Sequence, residues 1–437
     1  MRVVGAVAAV TTTDMTQLEA AQAGKVTPEM DKAAIGEGVS GEFVRQEVAA
    51  CRAVVPCSIP GHRVDPIVIG SRFKVKINAN IGSSRNRADS HDELDKLAIS
   101  VEFGSDTVMD LSTGGDINGI RQSILEASRV PVGTVPIYQV VAEKGPIGWT
   151  MKDFISAIKN QAEQGVDYMT VHCGFTRSAM PLLRRRLTHV VSRGGAVMAA
   201  WMEKNNRENP LYEGFDEILA VAREHDVTLS LGDALRPGST HDATDEAQIH
   251  ELRKLGELAR RAARAGVQVM IEGPGHVPID QVKRNMELEQ IYCGGAPFYI
   301  LGPLVTDVAP GYDHITGAIG GAYAAFWGAS MLCYVTPREH LGLPHIEDVK
   351  QGVMAFRIAA HAADIAKGIP GARIWDDQMS EARKKLDWAG QFRLAMDPKN
   401  AEKLHGEDTP ACETACSMCA DYCSMRLMND IMEGKAI

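Results

Sequence analysis

The chain has 437 residues, of which 45% are hydrophobic and 23% charged, and its formal net charge at pH 7 is −10. This acidic balance, with no extended basic stripe, argues against a nucleic-acid partner. No apolar run reaches the roughly 18 residues of a transmembrane helix. We therefore expect a cytoplasmic protein that does not enter a membrane.

Residues 1–72 lack a regular alternation of strands and helices. We interpret residues 1–15 as a disordered leader or the product of a misassigned start. The segment GEFVRQEVAACRAV, which starts at residue 41, predicts a helix. The Pro-rich stretch VPCSIPGHRVDP follows it and predicts a linker or cap.

Eight segments rich in β-branched residues follow, and each precedes a turn and a helical stretch. They start at residues 75, 107, 131, 168, 227, 267, 298 and 331, and a shorter ninth candidate, HVVSRGG, starts at residue 189. Strands and helices that alternate about every 30 residues predict parallel strands with right-handed crossovers. The pattern favours an α/β fold, a (β/α)8 TIM barrel, over a doubly wound sheet, whose usual G-x-G-x-x-G fingerprint is missing.

The rest of the chain is predicted to be helical and to end in a tail that holds a cysteine cluster. We expect four regions: a leader and cap at 1–72, the barrel at 73–345, C-terminal helices at 346–405 and the cysteine-bearing tail at 406–437. A polar, acidic loop precedes the cysteines. We therefore expect the tail to be a mobile tether that folds over a site.

Cys416, Cys419 and Cys423 follow a C-x2-C-x3-C pattern. A structural zinc site would need a fourth ligand, such as Cys412 or a remote histidine. A redox pair usually opens a helix near a strand, which this tail does not resemble. The third reading is a [4Fe–4S] cluster with one open iron, which is the arrangement that binds S-adenosylmethionine in radical enzymes.

Polar side chains collect where the predicted strands end, which is where a barrel places its functional residues. They are Asn78, Asn80, Asp110, Tyr138, His172, Ser192, Arg193, Gly194, Asp233, Glu272, His276, Tyr299 and Asp307. Two histidines at neighbouring strand ends, His276 and His340, are candidate ligands for one divalent metal or ordinary structural histidines. Two segments, Ser192–Gly194 and Asp233–Gly238, pair arginine with glycine, a combination that grips phosphate or bridges surface carboxylates.

A series of long motifs occurs in order between about residue 70 and residue 425. They read NANIG, DTVMDLSTGGD, VPVGTVPIYQ, VSRGG, LRPG, IEGPGHVP, APFYILGPLVTD, APGYDHIT, CYVTPREHLGLP and CSMC. With these motifs the sequence resembles the thiamin pyrimidine synthase family of radical S-adenosylmethionine enzymes. The resemblance favours the cluster over zinc at the cysteines.

The resemblance implies a carbon–carbon lyase that acts on 5-aminoimidazole ribotide, receives one electron from an external reductant and forms a homodimer. It implies that Cys416, Cys419 and Cys423 hold the [4Fe–4S] cluster and that His276 and His340 hold zinc or iron. The substrate-binding positions that it implies are Asn80, Met109, Tyr138, His172, Ser192, Arg193, Gly194, Asp233, Ala234, Leu235, Arg236, Glu272 and Tyr299. Among these, Glu272, His172 and Tyr138 are candidates for imidazole binding or proton transfer.

The family forms two kinds of product from this ribotide. One branch makes hydroxymethylpyrimidine phosphate for thiamin, and an anaerobic branch makes 5-hydroxybenzimidazole for the lower ligand of cobamides (vitamin B12). This sequence departs from the family's thiamin enzymes in a shorter last cysteine gap and at Ala234, Thr240–His241, Gly317 and Ala420. Because several departures are expected in or beside the substrate pocket, we favour the hydroxybenzimidazole product, with hydroxymethylpyrimidine phosphate as the alternative.

Two hypotheses from other classes remain open. A zinc-dependent barrel lyase without radical chemistry would use His276 and His340 and would treat the cysteines as structural. A non-catalytic scaffold would tolerate the loss of all three cysteines. The polar residues at the strand ends argue against the scaffold.

Overall fold

A computed structural model describes residues 15–58, 64–84, 90–407, 416–419 and 422–435. The chain forms two compact units, Met1–Lys367 and Gly368–Ile437. The predicted leader at 1–15 lies almost wholly outside the described residues. The four predicted region boundaries stay predictions. No helix in the described ranges is long and apolar enough to cross a membrane.

The first unit is built around a closed barrel of eight parallel strands that follow one another in chain order, and the last strand pairs with the first. The strands are β3 (Lys76–Ile81), β4 (Thr107–Asp110), β5 (Val132–Thr134), β6 (Tyr168–Val171), β7 (Thr228–Leu231), β8 (Val269–Gly273), β9 (Phe298–Leu301) and β10 (Met331–Cys333). These are the eight segments that the sequence predicts. The TIM-barrel prediction is therefore confirmed.

Helices surround the barrel and connect its strands. They are α4 (Ser90–Glu102), α5 (Ile117–Ala127), α6 (Pro136–Lys144), α7 (Met151–Gln164), α8 (Arg193–Asn205), α9 (Pro210–Glu213), α10 (Phe215–Glu224), α11 (Glu246–Arg264), α12 (Ile279–Cys293), α13 (Asp313–Phe326) and α14 (Ile346–Lys367). Two 3-10 helices, Arg177–Arg185 and Thr240–Asp242, lie in the loops after β6 and β7. The helices cover the outer face of the barrel and interior side chains fill its inner face, which explains the nearly continuous burial of each strand.

The ninth strand candidate, HVVSRGG, is wrong. Ser192 is instead the N-cap of α8, and its hydroxyl accepts the Gly195 N–H at 3.2 Å. A serine that caps a helix leaves the apolar residues before it in an extended approach, which in sequence looks like the end of a strand. The segment therefore contributes a helix N-terminus to the site.

A polar network crosses the barrel interior below the site. The Asn78 amide donates to the Tyr299 hydroxyl at 2.7 Å, and its carbonyl oxygen accepts the Tyr168 hydroxyl at 2.8 Å. The Tyr168 ring fits because residue 133 is glycine, where a Cβ would lie 2.2 Å from the ring. Because every one of these polar groups is paired, the network forms a rigid floor for the site.

Three short helices form an N-terminal bundle in the first unit: α1 (Gln17–Gln22), α2 (Pro28–Glu37) and α3 (Gly41–Ala49). The predicted helix over GEFVRQEVAACRAV ends earlier, and Ala53–Val54 (β1) pairs instead with Ile69–Gly70 (β2). The bundle contacts the N-terminal end of the barrel through the buried ion pair of Lys76 and Glu37, 2.8 Å apart. Part of the predicted linker, 59–63, lies outside the described residues.

The described residues of the second unit form four α-helices: α15 (Ala372–Lys384), α16 (Trp388–Leu394), α17 (Pro398–Glu407) and α18 (Ser424–Met432). Trp388 stacks on His405 with ring centroids 4.0 Å apart, which joins α16 to α17. Asn429 on α18 donates to the Lys384 carbonyl at 2.6 Å, which attaches α18 to α15. The predicted helical character of the C-terminal region is confirmed.

Candidate active site

One pocket opens at the C-terminal ends of the barrel strands. The predicted substrate-binding residues that line it are Asn80, Met109, Tyr138, His172, Asp233, Arg236, Glu272 and Tyr299. They come from seven of the eight strands or from the segments that follow them, so only the closed barrel brings them together. Thr170 and Cys333 also line the pocket, and the sequence analysis did not select them.

Glu272, at the end of β8, is buried within this pocket. Its Oε1 accepts hydrogen bonds from the Thr170 hydroxyl at 2.7 Å and the Ser230 hydroxyl at 2.9 Å. Burial raises the pKa of Glu272, and the two hydroxyls oppose that shift. The two hydroxyls, together with the Asp233 backbone N–H, fix the orientation of the carboxyl in the pocket wall.

Asp233 and Arg236 form a buried ion pair in the turn after β7. Arg236 Nη1 lies 2.8 Å from Asp233 Oδ1. Burial raises the pKa of Asp233 to about 7, against the opposing effect of Arg236. The turn therefore presents one permanent cation and one carboxyl that titrates near neutral pH.

His172, which follows β6, is a neutral imidazole. Burial, with a smaller contribution from Arg236, lowers its pKa to about 3. Asn209 donates to the His172 carbonyl at 2.9 Å and holds this segment in place. The ring packs against Gly194, where a Cβ would lie 2.2 Å from it, so the glycine is needed for the approach of α8.

Tyr138 enters the pocket from a helix and not from a strand. The strand predicted at residue 131 ends at Thr134, and Pro136 starts α6, so Tyr138 lies in the first helical turn. Proline fits the first turn because its missing N–H would have no partner there. Arg193 lies over the Tyr138 ring, 4.8 Å from its centroid, and burial raises the pKa of Tyr138.

Sulfur atoms lie on the opposite wall. The Tyr299 hydroxyl donates to Met109 Sδ at 3.5 Å, and the Asn80 amide donates to Cys333 Sγ at 3.1 Å. Burial raises the pKa of Cys333 to about 12, so its thiol is neutral at physiological pH. This wall is soft and weakly polar, whereas the Asp233–Arg236 side is charged.

The two predicted phosphate segments lie side by side. An added Cβ at Gly195 would lie 2.3 Å from the Ala234 carbonyl oxygen, so the start of α8 touches the Asp233–Arg236 turn directly. Ser192 caps α8, and Arg193 borders the clefts beside the central pocket. Ala234 and Leu235 are fully buried within the turn. A helix N-terminus next to a buried arginine is suited to bind an anion.

His276 and His340 form a pair at the rim, with ring centroids 5.3 Å apart. His276 Nδ1 lies 2.8 Å from Asp307 Oδ1, and His340 Nδ1 lies 3.3 Å from Asp313 Oδ1. A carboxylate on Nδ1 leaves Nε2 for a metal, as in the usual carboxylate–histidine–metal arrangement. Burial lowers the pKa of His276, which favours the neutral, metal-binding imidazole. The donor set therefore fits a divalent metal with other ligands from outside the pair.

Cys416, Cys419 and Cys423 of the second unit are free thiols. Cys416 and Cys423 are half-buried and Cys419 is exposed, and Cys423 immediately precedes α18. Among the described residues no three His, Cys, Asp or Glu side chains are gathered as a metal site, so these thiols are not gathered either. Their chemistry fits thiolate ligation of a cluster. The alternative zinc ligand Cys412 lies outside the described residues.

Among the described residues, the departures at Ala234, His241 and Gly317 do not line the central pocket. Ala234 is fully buried in its turn, His241 is exposed, and Gly317 packs behind the barrel, where a Cβ would lie 2.9 Å from the Phe356 ring. Ala420 lies outside the described residues. Ala234 lies beside the pocket, between the lining residues Asp233 and Arg236, whereas His241 and Gly317 are not among the lining residues.

The chain is similar over nearly its whole length to several phosphomethylpyrimidine synthases. It is 53% identical to that of Desulforamulus reducens, covering 95% of this chain and 98% of the relative. It is 54% identical to that of Carboxydothermus hydrogenoformans, covering 95% and 99%. It is 53% identical to that of Natronomonas pharaonis, covering 96% and 89%.

These names match the alternative product and give no support to the hydroxybenzimidazole prediction. The model of the Radical SAM ThiC family matches residues 16–430. A radical SAM enzyme carries a [4Fe–4S] cluster and uses S-adenosylmethionine. With this match and relatives more than half identical over most of its length, the chain belongs to the Radical SAM ThiC family.

Proposed function

We propose that this chain is a phosphomethylpyrimidine synthase, a radical lyase that converts 5-aminoimidazole ribotide to hydroxymethylpyrimidine phosphate for thiamin. The observation that carries the proposal is the convergence of eight residues implied by the family resemblance on one barrel pocket. The names of the relatives support this product. Hydroxybenzimidazole is not favoured, because the relatives are named for the other product.

The ribotide phosphate binds at the contact between α8 and the Asp233–Arg236 turn. Arg236 supplies a buried cation, and the N-terminus of α8 supplies free N–H groups and the positive end of the helix dipole. The Asp233 carboxylate, ionised above about pH 7, accepts hydrogen bonds from the ribose hydroxyls. This end of the pocket thus fixes the sugar and its phosphate.

The aminoimidazole ring occupies the centre of the pocket, between Glu272, His172 and Tyr138. Glu272 is fixed on Thr170 and Ser230, and its carboxyl accepts from the exocyclic amine. His172 is neutral and offers either a donor or an acceptor, according to its tautomer. These groups hold the ring and exchange protons with it, since burial has moved their pKa values away from solution values.

Cys416, Cys419 and Cys423 would hold the cluster, and His276 and His340 would hold the divalent metal. Together with S-adenosylmethionine, the cluster supplies one-electron reductive cleavage and hence a carbon radical that abstracts hydrogen. An external one-electron reductant and a second copy of the chain complete the proposal. The role of the protein in the pocket is to orient the ribotide and exclude water.

Complementation tests this proposal in the cell. Expression of the chain in a bacterium that lacks its own phosphomethylpyrimidine synthase should restore growth without thiamin or hydroxymethylpyrimidine. The Cys416→Ser variant should fail at equal protein level, because it removes a cluster ligand. If the parent chain fails to restore growth while its cluster is fully loaded, the proposed product is wrong.

A further inference from the structure

A small cavity lies between the Asp233–Arg236 turn and helix α11. Its walls include Asp233, Arg236 and Glu272 on one side and Gln248 and Glu251 on the other. The cavity volume is about 20 Å³. About 10–15 Å³ is enough for one water molecule if two or more polar groups surround it.

Glu251 of α11 is the least expected group in this cavity wall. It is 2% exposed, and its Oε2 accepts the Leu235 N–H at 2.6 Å. Leu235 lies inside the turn that carries Asp233 and Arg236. The other oxygen, Oε1, is buried and has no protein partner within the described residues.

Asp233 also has a buried carboxyl oxygen without a hydrogen-bond partner among the described residues. Its Oδ1 pairs with Arg236, but its Oδ2 is buried and has no protein partner in the described part of the chain. An unpaired buried carboxyl oxygen costs free energy that one hydrogen bond largely recovers. Two such oxygens, on residues that share one water-sized cavity, are therefore best satisfied together.

We propose that Glu251 is a positioning residue of the substrate site, which holds the turn through Leu235 and reaches Asp233 through one buried water. Glu251 acts in its neutral form: its Oε1 carries the proton and donates to the water, and the water donates to Asp233 Oδ2. The proposal rests on the proposed function only in that Asp233 is assigned to the ribose. No chemical step is added to the reaction.

The charges around Glu251 favour the neutral form. Asp233 and Glu272 are acidic neighbours, and Arg236 is already paired with Asp233. Arg186 binds the Leu235 carbonyl at 2.7 Å but is paired with Asp245 at 2.7 Å. Cys173, a further titratable neighbour, is a neutral thiol because burial raises its pKa. Burial likewise raises the pKa of Glu251 well above its ordinary value.

The neutral carboxyl has a direct effect on Asp233. A hydrogen bond donated through the water stabilises the Asp233 anion, so its loss raises the pKa of Asp233. Glutamine at residue 251 keeps an acceptor for Leu235 and a donor for the water. Leucine keeps neither, although it fills a similar volume.

The test measures ribotide affinity against pH by calorimetry on the full chain, for Glu251→Gln, Glu251→Leu and a control, Glu289→Gln. Glu289 is a second buried carboxyl, 3% exposed on α12, whose pKa burial raises to about 8. We expect Glu251→Gln and Glu289→Gln to keep the parental ribotide affinity and the parental pH midpoint, the pH at which the affinity has made half of its change. Glu251→Leu should bind about tenfold more weakly, because the turn that carries Asp233 loses the hydrogen bond that holds it in the binding conformation, and the pH midpoint of binding should lie at higher pH.

Two results would overturn the proposal. If Glu251→Leu only lowers the melting temperature and leaves affinity and midpoint unchanged, Glu251 is merely structural. If Glu251→Gln moves the midpoint to lower pH, the parent carries a charged carboxylate at residue 251.

Failure of the parent chain to bind ribotide would count against the proposed function and leave this inference to an infrared measurement. The spectrum of the parent minus that of Glu251→Gln should show the C=O band of a protonated carboxyl. A carboxylate band in its place would contradict the neutral form.

Discussion

The contact between α8 and the Asp233–Arg236 turn should fail on the addition of a single methyl group. In Gly195→Ala the new Cβ would lie 2.3 Å from the Ala234 carbonyl oxygen, whereas ordinary contact begins at about 3.4 Å. Both groups belong to the backbone, so no side chain can rotate away. The start of α8 and the turn must therefore separate by about 1 Å.

This separation acts on stability and activity in different proportions. Overpacking costs about 1–3 kcal/mol, while alanine in a helix recovers about 1 kcal/mol relative to glycine. We therefore expect a net loss of at most about 2 kcal/mol of unfolding free energy. A misplacement of about 1 Å at a substrate-positioning group can cost about 10²-fold in rate, so kcat/KM for the ribotide should fall by about that factor.

Gly36→Ala is the matched control, because Gly36 lies in α2 with nothing within 4 Å of an added Cβ. It should gain the helix propensity without the clash and keep full activity. Urea unfolding and anaerobic steady-state assays measure the two effects. The reasoning is refuted if Gly195→Ala is as stable and as active as Gly36→Ala.

Three further predictions follow from charged side chains in the first unit. Lys76→Met should lower the unfolding free energy by about 3–5 kcal/mol, because it leaves the Glu37 carboxylate buried and unpaired. In urea titrations the double variant with Glu37→Leu should recover most of that loss, and a double variant as unstable as Lys76→Met would contradict the prediction. Ribotide affinity should rise with pH through about 7 as Asp233 ionises. By calorimetry, Asp233→Asn should bind the ribotide weakly and with an affinity that does not change with pH. The parental pH dependence in this variant would show that a group other than Asp233 titrates. Asp307→Asn should weaken metal affinity by about 10–100-fold, since it removes the carboxylate that orients His276. Competition with a chelator measures the metal affinity, and a variant with the parental affinity would show that the histidines are not the ligands.

The sequence predicts the barrel well because each strand is a short apolar run that ends in glycine or polar residues. It misplaces Tyr138 because β5 is followed at once by α6, and only Pro136 separates the two periodicities. It misplaces Ser192 because the apolar residues before a helix cap look like a strand. Local patterns thus identify the elements, but neighbouring chain segments decide where one ends and the next begins.

Three residues at or next to the site were missed for different reasons. Thr170 and Cys333 lie within strands, where the sequence alone cannot say which face points to the pocket. Glu251 did leave a signal, because it stands between Ala247 and Leu255 on the buried face of α11. An acid at the apolar spacing of an amphipathic helix predicts a buried carboxyl with a specific partner.

The proposed function is tested most directly by identifying the product that the full chain forms when its cluster is reconstituted under anaerobic conditions. The reaction contains 5-aminoimidazole ribotide, S-adenosylmethionine and dithionite, and mass spectrometry identifies what is formed. We expect the parent chain to form hydroxymethylpyrimidine phosphate together with 5′-deoxyadenosine, and the Cys416→Ser variant to form neither. 5-Hydroxybenzimidazole as the main product would contradict the proposed function.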